Sequence, residues 1–573
     1  RRPHPMTRPQ IAPDLAAALT AAIPARLVKK LDATPELAAS WTWTATTVTT
    51  DKGEVVTLAL TDGIATGVTC SCLLAPKCLH VAAVIALLDP AEGAAPIIPA
   101  VSVAAPADVE TSALTPQIAR DAFRITADVL ATGAETTGAF VQAELLRSIH
   151  ACRTHGLHRL ASTQTRILRS VRELRADRPE FDLDVLTADL RDALDVAHAL
   201  AAGAATTALV GTARREYTTI GSLRLRGVLS EAVVARSGYA GAITYLADDR
   251  GRLFTRADIA PGDAGRAAGA YDAPANIGDA VLPHRELCRS GLFVSEATAS
   301  ADGRLGAGQK VRAMRASEPS TWDHEALAPR WTTSLADQLV AIAAHDALAE
   351  ALRPAGWDLV FVAGTLLGGG PHGVGLAVDG LPIRLVTSHD QRVLPARDNL
   401  VVLARSPGLA IRAIGRVRLG APRQLELLAL APAPGELRLP MIDAWHGRAN
   451  LHYDRLSLPS LGDARPILAA IPQPTDDLLA PLRRRVERVV QGGVGTLPTP
   501  AIAELEREAV AMTERALRGG ADVLRDLAAI AHDASRAMTG ARRAIDRGTF
   551  ARAWLRAALY EDAARRRLSV ASW

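Results

Sequence analysis

Three of the five cysteines of this 573-residue chain fall within nine positions, and a histidine follows the last of them two residues later. The segment runs Thr69-Cys70-Ser71-Cys72-Leu73-Leu74-Ala75-Pro76-Lys77-Cys78-Leu79-His80. So uneven a placement of so rare a residue constrains the local fold more than any other feature of the chain. Residues i and i+2 of an extended chain point to the same side, so Cys70 and Cys72 can lean toward one point. Cys78 and His80 are also two apart, and such a pair does not share a face of a regular helix. The spacing therefore predicts Cys78 in the turn before a helix and His80 in its first turn, with Pro76 holding the approach extended. Three thiolates and an imidazole fill four tetrahedral positions, the donor set of a structural zinc, whereas catalytic zinc keeps one position open. One structural Zn2+ on Cys70, Cys72, Cys78 and His80 is expected. Lys77 and the amides of the helix N-terminus are placed to offset its excess negative charge. A Cys70–Cys72 disulfide is not expected, because an i,i+2 bridge is strained.

The flanking sequence supplies elements for the ligands to tie together. Trp41 to Thr50 is rich in Trp, Thr and Val and predicts a strand. Asp51-Lys52-Gly53 predicts a turn and Glu54 to Leu60 a returning strand, which makes a hairpin. Leu79 to Leu88 predicts an apolar helix closed by Asp89-Pro90. Upstream, Leu15, Leu19, Ile23, Leu27 and Leu31 recur at four-residue steps and predict helix over 14–33, with Pro24 placed to split it.

The rest of the chain predicts an α+β multidomain protein: an N-terminal hairpin–helix metal module, a helical domain, a β-rich middle with a small barrel or sandwich, and a helical C-terminal tail. The expected divisions are a module at 11–90, a Pro/Ala-rich linker at 91–114, about four helices at 115–213, a mixed α/β domain at 214–330, a helix plus barrel-like strands at 331–440, and an Arg-rich helical region at 465–573. Within 214–330, Gly241 to Leu246 and Leu253 to Ile259 read as strands. Residues 333–352 read as an amphipathic helix. Between 356 and 440, six runs broken by Gly, Pro and Asp read as strands, Asn399 to Ser406 among them. Aromatic residues are 4% of the chain, so its cores must be filled by Ala, Leu and Val.

Charge and cysteine usage limit the functional class. Five cysteines are too few for a disulfide scaffold. No stretch reaches the roughly 18 uninterrupted apolar residues of a membrane span, and no apolar run follows the basic, Pro-rich Arg1 to Gln10, so neither membrane insertion nor a signal peptide is expected. A reducing cytoplasm is the expected compartment. The net charge of +4 is small for this length, but unevenly placed. Residues 11–90 hold five Lys/Arg against seven Asp/Glu, and residues 481–573 hold 17 Arg against 11 Asp/Glu.

The pattern Cys70-x-Cys72-x5-Cys78-x-His80, preceded by a Trp/Val/Thr hairpin and followed by an apolar helix, resembles the SWIM-type zinc finger, whose pattern is CxC, a variable gap, then CxH. The resemblance covers roughly residues 40–90. The family's CxH usually carries a Lys between its last two ligands, and Leu79 stands there instead, removing a cation beside the metal. The layout is similar to that of long actinobacterial SWIM zinc finger proteins, some encoded beside AAA+ ATPases. The resemblance implies a finger that binds DNA or protein. A protein partner in an AAA+ ATPase-associated bacterial complex is the first expectation, and a nucleic acid the alternative.

The remaining constellations are weaker. Gly303 to Lys310 lacks the Gly-Lys-Ser/Thr ending of a phosphate loop and predicts a plain turn. Gly368-Gly369-Gly370 predicts a flexible loop between strands, with a ligand loop as the lesser reading. His150, Cys152, His155 and His158 lie close enough for a second metal site, but His150, Cys152 and His155 do not share one helical face and Gly156 interrupts the run. His284 and Cys288 are too few to hold a metal. Ser388-His389-Asp390 are neighbours in sequence, whereas catalytic triads assemble in space. No catalytic motif is complete, so a non-catalytic role is expected. Arg525, His532, Arg536, Arg543 and Arg547, with Arg483-Arg484-Arg485 and Arg565-Arg566-Arg567, form a positive stripe if their helix is continuous. A solvated, acid-paired arginine face is the favoured expectation.

Overall fold

The computed structural model describes residues 8–11, 37–61, 63–88, 111–213, 215–308, 310–370, 373–420, 423–457, 477–497, 499–533 and 545–573, with residue 109 and isolated positions between 15 and 34. The helix expected at 14–33 and the linker expected at 91–114 lie largely outside the described residues. The chain is mixed α and β and divides into two compact units. One comprises residues 1–102, 216–418 and 423–473, and the other residues 103–215, 419–422 and 474–573. No helix among the described residues is long and apolar enough to cross a membrane.

The first unit begins with a five-stranded sheet of order β1-β5-β4-β3-β2. Its strands are β1 (Gln10–Ile11), β2 (Thr42–Trp43), β3 (Thr47–Thr49), β4 (Val55–Thr61) and β5 (Ile64–Cys70). The single strand expected at Trp41 to Thr50 is two short ones that fold back on each other, pairing Thr42 with Thr49 and Trp43 with Val48. β5 has no counterpart in the sequence reading. It buries Ala65 and Val68 and exposes Thr66 and Thr69, and it delivers Cys70 opposite Val56.

The helix Leu79–Ile85 lies across this sheet with Val81, Ala82, Ala83, Val84 and Ile85 wholly buried. Its surroundings explain why every side is apolar. Val48, Val56, Leu58 and Trp41 cover it from its own sheet, and Phe293, Met314 and Ala316 of the next sheet complete the same core. Burying each Val or Ile side chain contributes about 1.5–3 kcal/mol. A helix buried all round belongs inside a core rather than at a surface.

That next sheet is antiparallel, of order β12-β11-β6-β7-β8, built from β6 (Thr218–Ala235), β7 (Tyr239–Ala247), β8 (Leu253–Pro261), β11 (Ser290–Ala299) and β12 (Arg312–Pro319). A small hairpin of β9 (Pro274–Ile277) and β10 (Ala280–Pro283) precedes β11. The helix expected at 333–352 spans Leu335–Asp346, with Ser334 accepting a hydrogen bond from the Asp337 amide at its N-terminus.

The last sheet holds β13 (Leu359–Gly370), β14 (Gly373–Val378), β15 (Leu381–Val386), β16 (Ala410–Val417), β17 (Gln424–Pro432) and β18 (Ala449–Asn450). It curls until β15 pairs in parallel with β17 over Arg384–Val386, which closes the sheet into a ring at one end. One of the six expected strands is a helix. Asn399 to Ser406 belongs largely to Ala396–Ala404, whose buried Ala396, Asn399 and Leu403 fall at helical spacing. The apolar run Leu400–Leu403 fits either element by itself, and the buried Asn399 side chain decides it. Its amide donates to the carbonyls of Leu451 and Asp454 and accepts from the Leu456 amide, each at 2.8 Å.

The second unit is helical. The four helices expected at 115–213 are Thr115–Thr132, Ala139–Thr154, His158–Arg175 and Leu183–Ala201. They share one core with the C-terminal helices Ala480–Gly492, Thr499–Glu514, Arg518–Asp533 and Arg547–Ala571. The sequence reading treated 115–213 and 465–573 as separate domains; Leu130, Leu190, Leu482, Leu505, Phe550 and Trp554 pack together as one. Gly133 and Gly493 let the two stretches touch backbone to backbone. Both hold positive φ, and a Cβ on Gly133 would stand 2.4 Å from the Gly493 nitrogen.

Candidate metal centre

The ligand atoms of Cys70, Cys72, Cys78 and His80 all lie within 4.8 Å of one another. Each comes from a different piece of local structure. Cys70 is the last residue of β5, which the Val55–Ser71 pairing ties to β4: the Ser71 amide donates to the Val55 carbonyl, and the Val55 amide to Ser71 Oγ, both at 2.9 Å. Cys72 follows at the bend, where its amide donates to Cys70 Sγ at 3.5 Å. A loop over residues 73–77, whose Ala75–Pro76 peptide is cis, returns the chain to Cys78. That residue caps the Leu79–Ile85 helix in an extended conformation, its sulfur accepting from the Val81 amide at 3.4 Å. His80 is the second residue of the helix, and its Nδ1 stands 3.7 Å from Cys70 Sγ. The Trp41 ring meets the His80 imidazole edge to face, 5.8 Å between centroids.

The thiols are not equivalent. Burial pushes Cys70 up to about 12 and raises Cys78 as well. Burial raises Cys72 too, but hydrogen bonds from the Leu74 and Ala75 amides and from the Cys78 and Cys70 thiols together outweigh it, and the Cys72 thiol lies below the ordinary range. The amides of Val81, Cys72 and Leu74 all face sulfur, an arrangement that favours thiolate over thiol. Three sulfurs and one imidazole nitrogen at this separation can hold a metal ion, and together they leave no coordination position of a tetrahedron open. Lys77, placed in the sequence reading beside the metal, is exposed.

The other constellations do not assemble. This cluster is the one group of three or more His, Cys, Asp or Glu side chains with metal-binding geometry among the described residues. Cys152 is a buried thiol pushed up to about 11 by burial, and His150 points to solvent. Cys288 is also buried, but its sulfur accepts from Asn450 Nδ2 at 3.3 Å, and His284 Nδ1 bonds Thr244 Oγ1 at 2.7 Å. Gly303 closes a turn on Ser300. Ser388 donates to Glu426, His389 Nε2 faces the Ala232 carbonyl at 2.8 Å, and Asp390 pairs with Arg397 on the surface, so these three do not converge.

In the C-terminal region the arginines are largely matched to acids. Arg525 pairs with Glu506 at 3.2 Å and Arg547 with Asp128 at 2.7 Å, and they belong to different helices. Arg485 is buried between Glu504 and Glu508, Arg565 and Arg566 both hold Asp562, and Arg483 holds Asp477. Arg536, Arg543 and the side chain of His532 lie outside the described residues.

Sequence reasoning did not find the polar network at the centre of the first unit. Arg416 of β16 makes a two-pronged pair with Glu231 of β6, at 2.8 and 2.9 Å, and bonds Asp358 at 2.5 Å. Arg289 bonds Asp454 at 2.6 Å and Tyr271 Oη at 2.8 Å. Arg448 donates to three carbonyls, those of Ser320, Gly227 and Cys288, and burial lowers it to about 10. These groups fasten the barrel-like sheet and residues 448–454 to the β6 sheet. Comparison with family models, with curated proteins and with solved structures finds no match to this chain.

Proposed function

We propose that Cys70, Cys72, Cys78 and His80 hold one structural zinc ion in a SWIM-type finger, and that the finger serves a non-catalytic protein in docking to a protein partner. The observation that carries this reading is the convergence of four ligand atoms within 4.8 Å. Thiolate-rich donor sets of this kind suit zinc, and a site with all four positions supplied by protein is structural. The free state of all five cysteines fits a reducing cytoplasm.

Two features favour a protein partner over nucleic acid. The helix that follows the ligands is buried from Val81 to Ile85 and has no face to offer a groove. What the module does present is the loop between the two ligand pairs, where Leu73 is fully exposed and Leu74 largely so. Apolar side chains held out by a fixed loop suit an apolar pocket on another protein. An AAA+ ATPase-associated assembly follows from the family resemblance and is the partner class to try first.

Metal analysis of the purified chain is expected to find about one zinc per molecule, and Cys70→Ser or His80→Ala to lose it. A partner recovered in stoichiometric amount from the native host, and lost with the zinc-free variants, supports the docking role. Duplex DNA binding that falls steeply with salt would overturn it in favour of the nucleic-acid reading.

A further inference from the structure

The glycine run at 368–370 raises a question that the metal site does not answer. Glycine inside a strand weakens it, and commonly marks a place where another backbone or a ligand comes close. Gly369 has a partner of that kind. A Cβ placed on it would stand 2.9 Å from the Cβ of Ala404, so its bareness lets the Ala396–Ala404 helix close on the end of β13. Gly370 has none among the described residues, of which nothing lies within 4 Å of where its Cβ would be. Between this bare strand end and the helix runs a groove of about 410 Å³, within the range of small-molecule sites.

The helix side of the groove is one stripe at three- and four-residue steps. Leu400 and Val401 give it an apolar floor, and Arg397 and Arg405 stand at its two ends, ~12 Å apart along the axis at 1.5 Å per residue. Among the described residues no carboxylate lines it. The Arg405 guanidinium is exposed and makes no ion pair or hydrogen bond among the described residues. Arg397 has Asp390 at 2.7 Å, but the two side chains are 68% and 79% exposed. A pair so exposed is held weakly and yields to a competing anion.

We propose that this groove binds a small amphiphilic anion, with a single carboxylate or phosphate head on Arg405 and a short hydrocarbon body laid over Leu400 and Val401 toward Arg397. A guanidinium matches either oxyacid head through paired N–H donors. The apolar floor favours a ligand with a hydrocarbon body over a head group alone.

Octanoate and octyl phosphate are the probes, titrated calorimetrically into the full chain, with octanol as the neutral control. Saturable binding of about one probe per chain is expected, tighter for the head group that the natural ligand carries, and weaker by tenfold or more for octanol. Arg405→Ala is expected to weaken the anions about tenfold and leave octanol unchanged. Gly370→Val adds a side chain into open space, so its thermal midpoint should match the parent while binding of both anions is lost. Failure of both anions to bind at millimolar concentration, or unaltered binding by a folded Gly370→Val chain, overturns the proposal.

Discussion

The Cys70–His80 cluster and the Arg416–Glu231 network both bring polar side chains together in the same unit, and they are satisfied in opposite ways. The network contains its own countercharges. Arg416 meets Glu231 and Asp358, and Arg289 meets Asp454. The cluster has no cation of its own among its four ligand atoms, since its sulfurs face one another and an imidazole. Its sulfurs accept from the Cys72 and Val81 amides, and the proposed metal ion would supply the positive charge that these amides do not. On the proposed reading one region makes its fold conditional on a metal, whereas the other makes it conditional on residues far apart in the chain finding each other.

The largest effect that separates the two is expected from metal removal. Binding of structural zinc contributes on the order of 10 kcal/mol to the folding of small fingers. Chelation, or Cys70→Ser, is expected to open the sheet at 42–70 and free the Leu79–Ile85 helix, while β6, β7 and β8 stay closed. Hydrogen exchange measured segment by segment checks this. Unchanged protection at 55–70 after verified loss of the metal would show that Val48, Val56, Leu58 and the Phe293–Met314 contact hold the module without it.

A smaller effect is expected in the network. Arg416→Met leaves the buried Glu231 carboxylate with Tyr245 but no cation, and Asp358 without its arginine, at a cost of about 3–5 kcal/mol. The double change Arg416→Met with Glu231→Leu removes the main unpaired charge with its partner and should recover much of that loss in urea denaturation. If the single and double variants are equally unstable, the network matters through shape rather than charge.

Acid sharpens the same contrast. Burial lowers His284 to about 4 and His452 to about 3, against about 6.5 in an unfolded chain. Both are neutral when folded: the Ala232 amide donates to His452 Nδ1, and the Nε2 atoms of both rings are buried without a partner. Below pH 6.5 the unfolded chain gains protons that the folded chain refuses. Stability is therefore complete above about pH 6.5 and falls by a few kcal/mol as the pH drops toward 4. Denaturation midpoints from pH 7.5 to 4.5 measure the slope, and His452→Asn should flatten it. Metal release in the same range is followed separately with a zinc indicator, because acid also protonates the thiolates.

What could be read in the sequence follows the distance between interacting residues. The four ligands span eleven positions, so their spacing alone placed Cys78 before the helix and His80 within its first turn. The strands of the barrel-like sheet were visible for the same local reason, as apolar runs between Gly, Pro and Asp. β5 was not, since Ala65 and Gly67 dilute its strand character and its alternation is only two residues deep. The helix Ala396–Ala404 reads as a strand in sequence because Asn399 finds its partners more than fifty residues away. Arg416 and Glu231 are 185 positions apart, and the core shared by 115–201 and 480–571 joins still more distant segments. No periodicity carries that information.

The smallest effect on stability, and the sharpest on the proposed docking, is expected at Leu73. The side chain is fully exposed, between ligands that would be fixed by the metal. Leu73→Ser removes no buried contact, so its unfolding midpoint and zinc content should match the parent within about 0.5 kcal/mol, as for surface changes elsewhere. An apolar anchor in a partner's pocket is a different matter. A large buried side chain at the centre of an interface costs about 2 kcal/mol or more when truncated, roughly thirtyfold in affinity. Leu73→Ser should therefore weaken the complex with the co-purified partner by that factor, with Leu74→Ser somewhat milder. A Leu73→Ser chain that keeps its zinc and binds the partner as tightly as the parent would move the docking surface away from the metal loop. The cluster would then serve only to hold β5 to its helix.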